Sequence, residues 1–182
     1  MKTFCLSNEE AAAKGFTHKW IIEAADLVAA GATTSTVIEL FGDGVARDKI
    51  ENVTYNLVTP FDGTSTTNLA MTIGYDLASG TDDADAFMPS VELHNDATEL
   101  ICAANNYTAI STLTVDATYG TEESTVIASL RTTLNQVLAA APKVFTEAYD
   151  LEATFTATAA NLSDLLTGEI HIFARIGNLS KV

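Results

Sequence analysis

Basic side chains are scarce in this chain: 9 lysines and arginines stand against 24 aspartates and glutamates, for a formal charge of −15. A field of that sign repels a phosphate backbone, which argues against a nucleic-acid partner, and it disfavours docking on anionic lipid equally. A basic protein partner is permitted. Cysteine is as scarce, with Cys5 and Cys102 far apart in sequence and in no C-x-x-C pair. Two such residues define neither a disulfide framework nor a zinc site, and both are expected as reduced thiols. No uninterrupted apolar run approaches the roughly 20 residues that cross a bilayer, so no membrane partner is expected. The first residues carry Glu9, Glu10 and Lys14 where a secretory signal has its apolar segment, so no export signal is legible. There is no internal repeat of fixed period and no low-complexity linker.

What is present is alternation. From Leu151 to Thr158, Leu151, Ala153, Phe155 and Ala157 take one phase, and Glu152, Thr154, Thr156 and Thr158 the other. That two-residue period predicts a strand. Ile170, Ile172, Ala174 and Ile176 alternate with His171, Phe173 and Arg175 after a turn region at Asn161 to Gly168. The two runs read as a closing hairpin supplying two strands to a sheet, with Leu162, Leu165 and Leu166 of the connection packing over the end of the sandwich. Lys49 to Phe61 and Thr66 to Leu77 alternate in the same way, and the turn-rich Asp62-Gly63-Thr64-Ser65 between them predicts a second hairpin. Pro60 ends its run or marks an edge. Further strands are expected at Phe16 to Glu23, Thr33 to Phe41 (stopped by Gly42-Asp43-Gly44), Phe87 to Leu93 and Tyr107 to Val115, with Ala24 to Gly31 as a connection and Ala78 to Asp85 as a polar loop.

Thr121 to Ala141 breaks this rhythm. Val126, Ile127, Leu130, Leu134, Val137, Leu138 and Ala141 recur at helical spacing, Glu122 and Glu123 sit where a helix start favours negative charge, and Pro142 follows. The competing reading of two short strands rests on the β-branched Thr125, Thr132, Thr133 and Val137. Residues 1–15 lack alternation and read as an N-terminal arm, with a short helix conceivable from Asn8 to Lys14 after Ser7. Residues 16–182 then form one mainly β domain, an antiparallel β-sandwich, jelly-roll-like, with one helical excursion.

Chemistry is thinly marked. His18, His94 and His171 are the candidate general bases, but no serine stands in a G-x-S-x-G context, and His171, out of phase with Ile170 and Ile172, reads as a surface or rim side chain. Asp76, Asp82, Asp83 and Asp85 are oxygen donors of the kind calcium takes, yet their spacing departs from the twelve-residue helix-flanked loop. The stretch therefore reads as a solvated acidic loop and no metal is expected, with calcium the alternative. Gly42 and Gly44 read as turn residues rather than a phosphate cradle. Trp20, Tyr55, Tyr75, Tyr107 and Tyr119 could supply a sugar-stacking platform, but they fall at strand positions where core or interface packing is more common. No cofactor and no enzymatic activity are expected.

The run FTATAANLSDLLTGEIHIFARI resembles the C-terminal strand pair of small structural proteins of tailed bacteriophages, in which F-T-A-T-x-x-N-L, a short loop and T-x-G-E-x-x-I-x-x-R follow in order. The upstream run from Val53 to Met88 is similar to a strand, a Gly/Thr turn, a strand L-x-x-x-I-G and an acidic D-x-D-A-F loop of the same proteins. The resemblance implies a virion component: a capsid decoration (cement) protein, assembled in the host cytoplasm, seated on the outside of the shell and bound to the major capsid protein. It implies a homo-oligomer, for which three-fold association is the expectation. A carbohydrate-binding or host-adhesion module and a tail or neck protein are the alternatives.

Overall fold

The computed structural model describes residues 1–7, 15–94 and 142–179. The strands predicted at Tyr107 to Val115, the helix at Thr121 to Ala141, Cys102, Tyr107, Tyr119 and the conceivable helix at Asn8 to Lys14 lie outside the described residues. Nine strands are described: β1 (Lys2–Cys5), β2 (His18–Glu23), β3 (Ser35–Gly44), β4 (Asp48–Gly63), β5 (Asn68–Leu77), β6 (Asp83–Glu92), β7 (Lys143–Val144), β8 (Tyr149–Thr158) and β9 (Leu165–Asn178). A short helix, α1 (Ala24–Val28), follows β2. The antiparallel sandwich expected from the alternation is what forms: a five-stranded sheet in the order β1-β2-β9-β4-β7 lies over a four-stranded sheet in the order β3-β8-β5-β6.

The pairing is nested. β2 pairs with β9, β3 with β8, β4 with β7 and β5 with β6, every pair antiparallel. Rolling that ribbon brings β4 against β9 and β5 against β8, which makes β9 and β8 interior strands of their sheets.

This winding corrects two expectations. β8 and β9 are not a hairpin within one sheet, and neither are β4 and β5: each couple is an arch whose legs belong to opposite sheets. A period of two fixes which side chains face inward but is silent on whether the next strand lies beside or across the core. Leu162, in a 3-10 turn (Leu162–Asp164), and Leu165 are fully or nearly buried under the arch, whereas Leu166 points to solvent. Asn161 N donates to Asp164 Oδ2 at 3.2 Å, fixing the turn.

Three boundaries also move. The arm begins with a true strand: β1 pairs Lys2 to Cys5 with Ile21 to His18. All four of its residues are exposed, so no in–out pattern existed to be read. Ala24 to Val28 is helical, with Asp26 Oδ2 accepting from Glu23 N at 2.9 Å. β3 runs through Gly42 to Gly44, bending by register shifts against β8, so the turn falls at residues 45–47.

A single apolar core joins both sheets, with Trp20, Ile22, Leu57, Ile170 and Ile172 from one and Leu69, Met71, Ile73, Leu151 and Phe155 from the other. One end is closed by aromatic rings. Phe145 stacks on Tyr149 with centroids 3.5 Å apart, Tyr75 meets Phe145 edge-on, and Lys143 Nζ lies 4.6 Å above the Tyr75 ring. Buried Asp48 ties this end to the β3–β4 turn, accepting from Val45 N at 3.0 Å and Asn178 Nδ2 at 2.6 Å.

At the other end Gly168 has φ +144°, and a Cβ there would stand 2.2 Å from the ring of buried Phe61. Gly168→Ala combines backbone strain with overpacking and is expected to destabilise the fold by about 2–3 kcal/mol. The check is a fall in the urea midpoint at unchanged m-value.

Candidate functional site

The most distinctive chemical grouping among the described residues is on the outer face of the four-stranded sheet. Along β8 the inward phase is wholly apolar, so Asp150, Glu152, Thr154, Thr156 and Thr158 occupy the outward phase. β8 lies between β3 and β5, and the register sets Glu39 opposite Glu152 and Asp76 opposite Asp150. Like charges directly opposite on neighbouring strands repel. Asp82 adds a further carboxylate, its Oδ1 accepting from Leu77 N at 3.0 Å.

The electrostatics follow from that crowding. The hydrogen bond and negative charge of Asp82, with Asp150 farther off, raise the Asp76 carboxyl above its usual range. Partial burial, then Asp76, Asp150, Glu39 and Asp82, raise the Glu152 carboxyl. No lysine or arginine among the described residues pairs with this face. Lys2, Lys19, Lys49, Lys143 and Arg175 stand on strands of the five-stranded sheet and Arg47 in the β3–β4 turn. Lys49 and Arg175 are held by Glu51 at 2.9 and 2.8 Å, and Lys2 pairs with Glu23. Among the described residues the five-stranded sheet thus carries paired charges of both signs, whereas the four-stranded sheet carries carboxylates with no cation beside them.

The four candidate calcium ligands are distributed by this fold. Asp76 and Asp82 come together, while Asp83 and Asp85 belong to β6, where Asp83 pairs with Tyr75. The polar loop is therefore shorter than the expected Ala78 to Asp85: β6 starts at Asp83, and Gly74 lets its backbone pass within what would be 1.9 Å of a Cβ. Among the described residues no three His, Cys, Asp or Glu side chains form a group able to hold a metal ion. Glu39, Asp150 and Glu152 were not singled out from sequence. The alternation places Glu152 outward, but that β8 runs between β3 and β5 is a tertiary fact.

The three histidines do not converge. His18 is half-buried, stacked on Trp20 at 5.7 Å and edge-on to Phe41 at 5.3 Å, and burial lowers its pKa. His171, on the outward phase of β9 as expected, pairs through Nε2 with Glu169 Oε1 at 2.6 Å. His94 is buried beyond the end of β6 with Asp62 Oδ1 3.7 Å from Nε2. Trp20 and Tyr75 are in the core, so neither is available to stack on a sugar, and Tyr55 is half-buried against the same core. Gly42 and Gly44 lie within β3 and Cys5 is an exposed free thiol. No described helix is long and apolar enough to cross a membrane. No protein-family model, curated protein or solved structure matches this chain.

Because the folded-state pKa of Glu152 is raised, its contribution is fully present below the unfolded value and is lost as pH rises through the folded one. Glu152→Gln is therefore expected to stabilise the protein at neutral pH by on the order of 0.5 kcal/mol. It should also flatten the stability profile between pH 4.5 and 7, and added salt should raise the wild-type melting temperature more than the variant's. His18 works in the opposite sense: with its pKa lowered, stability is lost as pH falls below 6.5. Thermal melts across pH and salt in both proteins measure these signs.

Proposed function

We propose that this chain is a structural component of a virus particle, a decoration protein that sits on the outside of a capsid shell and binds the major capsid protein. The observation that carries the reading is the carboxylate face of the four-stranded sheet. Its repulsion opposes folding, and a partner surface bearing lysine or arginine would relieve it. Charge-complementary docking gives specificity and fast encounter without a deep pocket. Many such modest contacts, repeated over a shell by symmetry, add up through multivalency.

The nested strand pairing supports the finer, jelly-roll-like reading of the fold. The resemblance of the β4–β6 and β8–β9 regions to tailed-phage structural proteins supports the virion setting, with assembly in the host cytoplasm where Cys5 stays reduced. A tail or neck position would use the same face. The core positions of Trp20 and Tyr75 weigh against the sugar-binding alternative.

Particles purified on a density gradient from cells producing the chain are expected to carry it at fixed stoichiometry, and antibody labelling is expected to decorate their heads. Glu152→Gln combined with Asp150→Asn should lower its occupancy several-fold, more at low salt than at high. Recovery of the wild-type chain only in the soluble fraction would refute the proposal.

A further inference from the structure

A β-sheet edge left open invites another strand, and most edges of this sandwich are blunted. β3 is bent by two register shifts, between Glu39 and Phe41 and between Phe41 and Gly44. β6 also shifts register twice, contains Pro89, which has no N–H to offer, and carries Asp83 and Asp85. β7 is two residues long. β1 differs: its four residues run in unbroken register with β2, without proline, acid or bulge.

The main-chain polarity of β1 follows from one hydrogen bond. Leu6 N donates to Thr17 O at 2.9 Å, in register with the β1–β2 ladder. By the alternation of an antiparallel pair, Phe4 and Lys2 then bond toward β2, while Thr3 and Cys5 turn their N–H and C=O groups outward. Among the described residues no strand lies on that side. Phe4, 44% exposed, stands on the outward face of the sheet beside Lys19.

We infer that this edge is a self-association site, taken by β1 of a second copy running antiparallel about a two-fold axis centred on Phe4. In that register Thr3 lies opposite the partner's Cys5 and Cys5 opposite the partner's Thr3, exchanging four main-chain hydrogen bonds. Phe4 faces its own symmetry mate at a close, non-hydrogen-bonded position, where cross-strand aromatic pairs form.

Local charge does not oppose a second copy at this edge. Lys2 is neutralised by Glu23, and Met1's ammonium by Asp26, so the edge itself carries little net charge. Joining the five-stranded sheets edge to edge also leaves the carboxylate faces of the four-stranded sheets outside the contact. The interface is small, so the dimer is weak and concentration-dependent. The contact is two-fold, unlike the three-fold association expected from the sequence, and it does not depend on the proposed virion role.

Sedimentation velocity on the full chain from roughly 10 µM to roughly 1 mM, the span over which an interface of this size titrates, tests it. The expected result is a reversible rise from monomer toward dimer. Thr3→Pro, which removes an outward N–H and leaves the β1–β2 bonds intact, should weaken association at least tenfold with an unchanged melting temperature. In a Cys5→Ser, Cys102→Ser background, Phe4→Cys should form a disulfide-linked dimer under mild oxidation, whereas Val45→Cys, equally exposed but in the β3–β4 turn, should not. A monomer throughout, a trimer, association that survives Thr3→Pro, or crosslinking no faster at position 4 than at position 45 would each overturn the inference.

Discussion

The rest of this structure depends on the contact between two strands that follow one another in the chain and lie in opposite sheets. The inward residues of β8 and β9, Leu151, Ala153, Phe155 and Ala157 against Ile170, Ile172 and Ala174, are buried in one shared core. Removing a large apolar side chain from water contributes about 1.5–3 kcal/mol, so this arch alone supplies a substantial part of the cohesion. It also sits at the centre of the topology, because each leg is flanked on both sides. β2 and β4 add to β9, and β3 and β5 add to β8.

Polar groups at the two ends keep the arch from slipping. At one end Asp48 accepts from the β3–β4 turn and from Asn178, so a buried carboxylate fixes where β4 begins relative to where β9 ends. Burial and the neighbouring Asp48 raise the pKa of the Tyr149 hydroxyl, which keeps the stacked ring neutral. At the other end Gly168 accommodates the Phe61 ring, and the Asn161–Asp164 turn carries Leu162 into the core. Register in a half-buried sheet is strongly specified, since a slip of one residue would exchange the inward and outward sets.

That same rigidity holds the acidic face in an unfavourable arrangement. Glu39 against Glu152 and Asp76 against Asp150 are imposed by a register that the core dictates, and with no described cation in reach the chain leaves the repulsion uncompensated. The described cations lie on the strands of the other sheet and in the β3–β4 turn, several held in local pairs. A domain built this way has one outward face of uncompensated carboxylates and, among the described residues, one unbroken edge at β1.

Which residues point inward was legible from the order of amino acids alone. The alternation at Leu151 to Ala157, at Leu69 to Tyr75 and at Ile170 to Ala174 is that of the buried set, because side chains alternate across a strand whatever its neighbours are. It equally marked Glu152 as outward. That β4–β5 and β8–β9 are arches, that β1 is a strand, and that five carboxylates from β3, β5, β8 and the loop before β6 share one face emerged from the folded arrangement. Strand partnership is a long-range choice made by packing two sheets on one core, and a period of two carries no record of it.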